Sequence, residues 1–296
     1  MSTNLPHVTE PFIVDRSERG KLALTGPEAK EFLQGLVTND VEALEPGRGC
    51  YAAVLTHKGK MLGDLRILDV GDELLLDCER VALQPIFNIL HRGKVGRAVE
   101  LHKRTLQTAL LSVIGVRLAG PEEHDNVRTE VAGRPVIAVT TDLGTDLFCA
   151  PDDAPAVRAE FRPGDEAYAE VLRVESGRPR YGVDLDDTVI PEEAGLNERA
   201  VSFTKGCYVG QETVARLHYK GKPNRRLRGL RLSEPVATGA ELRLGERTVG
   251  RLGSSVVSPE LGPIGLALVR REASPGDVVA AGDAQAVLME LPFRRE

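Results

Sequence analysis

LALTGPEAKEFLQGLV, residues 22–37, and LLSVIGVRLAGPEEH, residues 110–124, decide how this chain is read. In each, an apolar strand passes a leucine (Leu24, Leu118) two residues before a Gly-Pro-Glu turn, Gly26-Pro27-Glu28 or Gly120-Pro121-Glu122. At the first turn Thr25 is an N-cap candidate and Glu28 is placed to close a capping box. Phe32, Leu33 and Leu36 then recur at helical spacing, and Asn39-Asp40 ends the helix. The repeated strand, turn and helix start predicts two α+β subdomains of related plan. The alternative is two unrelated helix starts.

Between them, residues 50–79 read as three strands joined by turns at Lys58-Gly59 and Gly71-Asp72. VALQPIFNILHR, residues 81–92, reads as a helix turning Leu83, Ile86, Phe87 and Leu90 inward, with Pro85 in its first turn. Residues 150–165, rich in Pro, Asp and Gly, read as a mobile connection. DEAYAEVLRVESG, residues 165–177, reads as an amphipathic helix stopped by Gly177. From Arg226 onward the pattern becomes six short apolar runs bounded by turns, which predicts a compact antiparallel barrel. The expected division is 1–225, with a second subdomain starting near 110, and 226–296 for the barrel.

Composition agrees with an α+β protein of this size. The 296 residues give a prior of roughly two domains, with 42% hydrophobic and 28% charged residues. Disordered, collagenous and coiled-coil chains are excluded. No apolar run approaches the length of a membrane span, and the first residues lack the pattern of an export signal, so the expectation is a cytoplasmic protein without a membrane partner. A net charge of −6 argues against a coat for nucleic acid. Cys50, Cys78, Cys149 and Cys207 stand singly, so neither a zinc site nor a redox dithiol is expected, and the thiols stay free in a reducing compartment.

The densest motif is KGCYVGQETVAR, residues 205–216. Gly206 and Gly210 permit a tight turn where backbone meets backbone or ligand. Glu212 and Arg216 are four apart on a helix starting at Gly210. Cys207 precedes that helix N-terminus, two residues from Lys205, and both features favour thiolate over thiol. Cys207 is therefore either a reactive cysteine or a packed turn residue. In LRVESGRPRYGVD, residues 172–184, Glu175 falls in the last helical turn, where the helix dipole disfavours a carboxylate. It either accepts paired hydrogen bonds from a ring that presents an N–H beside an amino group, as a pterin or guanine does, or pairs with Arg173 or Arg178. Asp64 follows a turn, one strand on from Tyr51. Residues 216–231 hold five Arg, two Lys and one His without an acid. That run is either an anion site, for a phosphate, a polyanionic tail or an RNA backbone, or a solvated barrel edge.

The string Lys205 to Glu212, followed by Ala215-Arg216, resembles the YgfZ family of folate-binding proteins, relatives of the GcvT aminomethyltransferases. Weaker matches run through FLQGLVTNDV (32–41), LRVESGRPRYGVD (172–184) and the barrel segment 249–271. The resemblance implies two intertwined α+β subdomains around a central folate site, plus the barrel. It implies that Glu175 grips the pterin of a tetrahydrofolate and that Tyr51 and Tyr181 line its pocket. GcvT proteins carry an aspartate pair near the reacting end of folate. Here the pair reads Gly63-Asp64, so Asp64 alone is carried over. The resemblance further implies an accessory role toward iron–sulfur client or assembly proteins, tRNA-thiolating enzymes among them, with tRNA itself contacted only indirectly. Cys207 and Lys205 would be the functional pair there. One cysteine cannot hold a cluster, so any ligation would be shared. The alternative is a folate-dependent aminomethyltransferase or related one-carbon enzyme, and a third is a binding module without chemistry.

Overall fold

The computed structural model describes residue 8 and residues 10–293. The chain folds around two open sheets and a barrel. The first sheet runs in the order Gly49–Leu55, Met61–Asp69, Leu74–Cys78, Gly20–Thr25, Glu100–Lys103. The second runs Arg162–Pro163, Phe12–Asp15, Ala109–Ile114, Gly144–Cys149, Arg134–Thr140, Asn126–Val131. Phe12–Asp15 precedes every strand of the first sheet yet pairs in the second, antiparallel to Ala109–Ile114. The two α+β units are therefore intertwined.

The three strands expected over residues 50–79 form in register, with Ala53 opposite Asp64 and Tyr51 opposite Arg66. Six strands from Arg225 to Met289 close into an antiparallel barrel around Leu230, Leu252, Val269 and Leu288. Among the described residues no helix is long and apolar enough to cross a membrane, which says nothing about spanning by strands.

Several local expectations give way to packing. The first helix is only Ala29–Gln34, with Glu28 rather than Thr25 at its N-cap. Glu28 turns its carboxylate to the Ala98 amide instead of closing a box. Thr25 stays in the strand, its hydroxyl 2.9 Å from His102 Nε2. The second Gly-Pro-Glu opens no helix: residues 116–125 are turns and bends leading into Asn126–Val131. Pro85 lies inside the Arg80–Gly93 helix, beyond its first turn. Ala82, Ile86 and Leu90 are that helix's buried face, while Leu83 and Phe87 are half-buried. The 150–165 stretch carries an Ala154–Ala159 helix and a short strand, with Val157 in the core.

The Glu166–Glu175 helix joins the α+β body to the barrel. Asp165 caps its start by accepting from the Ala167 amide, and Gly177, at φ +70°, ends it. Val174 packs with Leu227, Ile264, Leu266 and Phe293, and the Phe293 amide donates to the Glu175 carbonyl at 3.1 Å. The barrel and its C-terminal tail therefore fix where Glu175 stands.

Candidate functional site

A central cleft lies between the two sheets, the Glu166–Glu175 helix and the barrel. Its inner part is about 200 Å³ and is lined by Tyr51, Asp64, Arg66, Arg19, Tyr181 and neighbours. Its outer part, about 1290 Å³, reaches Glu175, Cys50, Asn39 and Arg228. Tyr51, Glu123, His124, Asp142, Arg178 and Arg199 border both. The outer volume is ample for a cofactor the size of a folate.

Strand periodicity builds the inner end. Side chains two apart on a strand share a face, so Asp64 and Arg66 point together into the cleft. Tyr51 on the partner strand is the diagonal neighbour of Asp64. Its hydroxyl donates to Asp64 Oδ2 at 2.6 Å. Asp64 is 5% exposed, and burial pushes its carboxyl up to about 6, although the Tyr51 hydrogen bond opposes this. Burial, and then the Asp64 charge, push the Tyr51 phenol well above its ordinary value. A buried acid near 6 is placed to hold or release a proton close to neutral pH.

Charged pairs brace this acid. Arg66 contacts Asp77 at 2.6 Å on its own sheet and Asp146 at 2.6 Å on the other. Arg19 clasps both oxygens of Asp77 at 3.0 Å. Burial alone would raise Asp77; Arg19 and Arg66 outweigh it and hold the carboxyl at about 2. Gly63 cannot be replaced by an acid without movement, because a Cβ there would lie 2.7 Å from that of Ala82 on the packed helix. Asp64 therefore stands as the single carboxylate of its turn.

At the outer end, Glu175 Oε1 accepts from the Ser258 hydroxyl of the barrel at 2.6 Å. The neighbouring arginines pair as follows: Arg173 with Glu170 and Asp184, Arg178 with Asp142 and Glu123. Tyr181 is buried against the first-sheet core and borders the inner cleft. Burial, with Asp187 and Asp64 nearby, raises its phenol to about 12.

The cleft wall also holds residues that the sequence did not single out. His124 is 7% exposed, its ring tilted against that of Tyr51 with centroids 6.5 Å apart. The Arg199 guanidinium lies 5.1 Å over the Tyr51 ring and pairs with Glu123 at 2.6 Å. Nothing in the composition of GPEEH distinguished His124, because the stretch read as a helix start. Arg199 sits in the four-residue helix Asn197–Ala200, too short for periodicity to announce it.

No residue of the KGCYVGQE segment lines either part of the cleft, although Lys205 contacts Asn39 at its outer border. Gly210, at φ +85°, seats the Gln211–Lys220 helix on the hairpin turn: a Cβ there would meet the Thr56 carbonyl at 2.5 Å. Gly206, by contrast, faces open space. Lys205 does not turn its ammonium to the thiol. It donates to the Gln34, Val37 and Asn39 carbonyls at 2.5, 2.8 and 3.0 Å, closing the end of the first helix. Burial pulls Lys205 down to about 8. Cys207 is exposed and borders neither part of the cleft. The structure thus gathers Tyr51, Asp64, Tyr181 and Glu175 around one cleft and leaves Cys207 outside it.

The basic run is partly neutralised. Arg216 pairs with Glu212, Arg225 with Glu193 and Arg228 with Glu290, at 2.8–2.9 Å. Among the described residues no cluster of three or more His, Cys, Asp or Glu is arranged to hold a metal ion.

Comparison with known proteins agrees with this architecture. A family described as the GCVT N-terminal domain matches residues 8–131. The aminomethyltransferase of Saccharopolyspora erythraea is 30% identical over 323 residues, covering 97% of this chain and 88% of that protein. The aminomethyltransferase of Thermotoga maritima is 30% identical over 316 residues, covering 95% and 85%. The crystal structure of glycine cleavage system aminomethyltransferase T from Bartonella henselae superposes with a TM-score of 0.82 over 99% of this chain and 88% of that one. At 21% identity that likeness speaks for the fold alone. From the intertwined sheets, the closed barrel and the identity sustained along nearly the whole length, the chain belongs to the GcvT aminomethyltransferase family.

Proposed function

We propose that the chain binds a tetrahydrofolate in the central cleft and acts on its one-carbon unit by aminomethyl-type transfer, with Asp64 as the acid–base group. The observation that carries this reading is the buried Tyr51–Asp64 pair at the inner end of a cleft whose outer end reaches Glu175. The wall suits such a ligand in its polarity: Tyr51, Glu123, His124, Asp142, Arg178 and Arg199 border both parts of the cleft. Bound tetrahydrofolate supplies the nitrogen that carries the one-carbon unit. Glu175 accepts the paired N–H groups of the ring, and Tyr51 and Tyr181 border its seat. Asp64 holds or releases a proton at a carboxylate oxygen, and Tyr51 orients that carboxylate.

The test is titration of tetrahydrofolate with wild type, Glu175→Gln and Asp64→Asn, followed by turnover with an aminomethyl donor. Glu175→Gln should weaken binding about tenfold or more, the loss of a charge-assisted pair. Asp64→Asn should still bind but give no methylene-tetrahydrofolate. Wild type that binds no folate sinks the proposal.

A second reading is favoured by one observation, the exposed thiol of Cys207 within KGCYVGQE. In the manner that the YgfZ resemblance implies, the folded cleft would bind tetrahydrofolate while Cys207 serves iron–sulfur client or assembly proteins in the cytoplasm. Lys205 then acts as a positioning residue for the segment that carries the thiol. Cys207→Ala should abolish rescue of a strain with failing cluster enzymes while leaving folate titration unchanged. Full rescue by that variant rejects this role.

A further inference from the structure

We propose that Ser258 is a positioning residue for the folate site: from the barrel, its hydroxyl holds the Glu175 carboxylate in the orientation that accepts paired hydrogen bonds from the ring. This deepens the folate reading above and rests on it.

The barrel strand Arg247–Ser258 grips the last turn of the Glu166–Glu175 helix residue by residue. Ser254, Val256 and Ser258, at every second position of the strand, meet Arg173, the apolar cluster of Val174, and Glu175 in turn. Arg173 Nη2 donates to the Ser254 hydroxyl, while the amide and hydroxyl of Ser254 donate to Asp184 at 2.7 and 2.9 Å. Val256 packs against the cluster of Val174, Leu227, Ile264, Leu266 and Phe293. The Ser258 hydroxyl donates to Glu175 Oε1 at 2.6 Å. Each charged side chain of the turn therefore has a serine of the barrel set against it.

Ser258 is 2% exposed and borders neither part of the cleft, whereas Glu175 borders the outer part, so the serine acts on a ligand only through the glutamate. A hydroxyl has one hydrogen to donate and two lone pairs with which to accept. In the turn that follows the strand, the Glu260 and Leu261 amides donate to Ser258 Oγ at 3.1 and 2.9 Å. The turn thereby takes both acceptor positions, and the single O–H goes to Glu175. A hydrogen bond to an ionised oxygen is among the stronger ones. Carboxylate oxygens accept more than one bond each, so a bond from the barrel and paired bonds from the ring are compatible. A glutamate side chain has several rotatable bonds, and a ligand held at two points needs all of them set. Ser258 sets them before the ligand arrives, which spares binding part of that ordering cost.

The test measures tetrahydrofolate dissociation constants for wild type, Ser258→Ala, Ser258→Cys and Glu175→Ala, and for Ser258→Ala combined with Glu175→Ala. Ser258→Ala should weaken binding about tenfold, through loss of a hydrogen bond to a charged group and of the orientation it gives. Ser258→Cys nearly keeps the size of the side chain but donates only weakly, so it should show most of the same loss. It takes the place of alanine throughout where the alanine variant does not fold. In the Glu175→Ala background, with no carboxylate to hold, Ser258→Ala should change the constant by less than about twofold. An equal loss in both backgrounds, or a folded Ser258→Ala that binds like wild type, overturns the positioning role and leaves the folate reading standing. Wild type that binds no tetrahydrofolate overturns both.

Discussion

The Tyr51 hydroxyl donates to Asp64 Oδ2 across 2.6 Å, a diagonal contact between adjacent strands that holds a buried carboxylate at the floor of the cleft. Because Asp64 is buried with its carboxyl near 6, it exacts a stability cost that depends on pH. Between its unfolded value near 3.8 and about 6, the folded chain binds the extra proton, so stability falls as pH rises through that window. Asp64→Asn should therefore melt higher than wild type at pH 8, by on the order of 1–2 kcal/mol, with the gap closing by about pH 4. Thermal melts across that range check it; a gap that widens toward acid would contradict the assignment.

Arg66 ties the two sheets together through Asp77 and Asp146. Arg66→Met leaves both carboxylates with one partner fewer inside the protein and should cost about 3 kcal/mol in urea unfolding. Asp77, held near 2, contributes stability that is present above its unfolded value near 3.8 and lost as pH falls toward 2. Removing a guanidinium raises that carboxyl, so acid unfolding of the variant should begin at a higher pH than in wild type.

Lys205 closes the first helix through three carbonyls. Lys205→Met should cost about 2 kcal/mol, since buried carbonyls lose a donor that water does not replace. In the folded variant the alkylation rate of Cys207 should match that of wild type, because the ammonium is engaged with Gln34, Val37 and Asn39 rather than the thiol. A rate that falls severalfold in the folded variant would return Lys205 to the role of the thiol's partner.

The four cysteines should separate cleanly under iodoacetamide. Burial pushes Cys50 up to about 12 and Cys149 up to about 11, and raises Cys78 as well. Cys207 is the exposed one. Native protein at about pH 7.5 should take one label, at Cys207, and Cys207→Ser should take none on the same timescale. Peptide mapping that finds Cys50 labelled first would show the cleft to be more open than this structure.

Much of the fold was legible from period and punctuation. The three strands over 50–79 followed from alternation around Lys58-Gly59 and Gly71-Asp72, and the barrel from short apolar runs between turns. The helix ending at Glu175 followed from apolar spacing and Gly177. Gly-Pro-Glu misled at its second occurrence. Residues 116–125 pack as turns against the Arg134–Thr140 and Gly144–Cys149 strands: Thr140 donates to the Gly120 carbonyl, and Leu118 donates to Thr145 Oγ1. Tertiary hydrogen bonds there replace the intrahelical ones that local sequence favoured.

The candidate site divides in the same way. Asp64 and Arg66 share a face because strand side chains repeat every two residues, and Glu175 falls in the last turn of its helix; local sequence determined that much, while the barrel and its tail fix where that turn stands. Local sequence also determined that Gly210 would start a helix. That Tyr51, Asp64, His124 and Glu175 surround one cleft, while Cys207 faces outward and Lys205 closes the end of the first helix, was decided only when the sheets and barrel came together. Such contacts join elements that are far apart along the chain, and no periodicity within a strand or helix encodes which elements will meet.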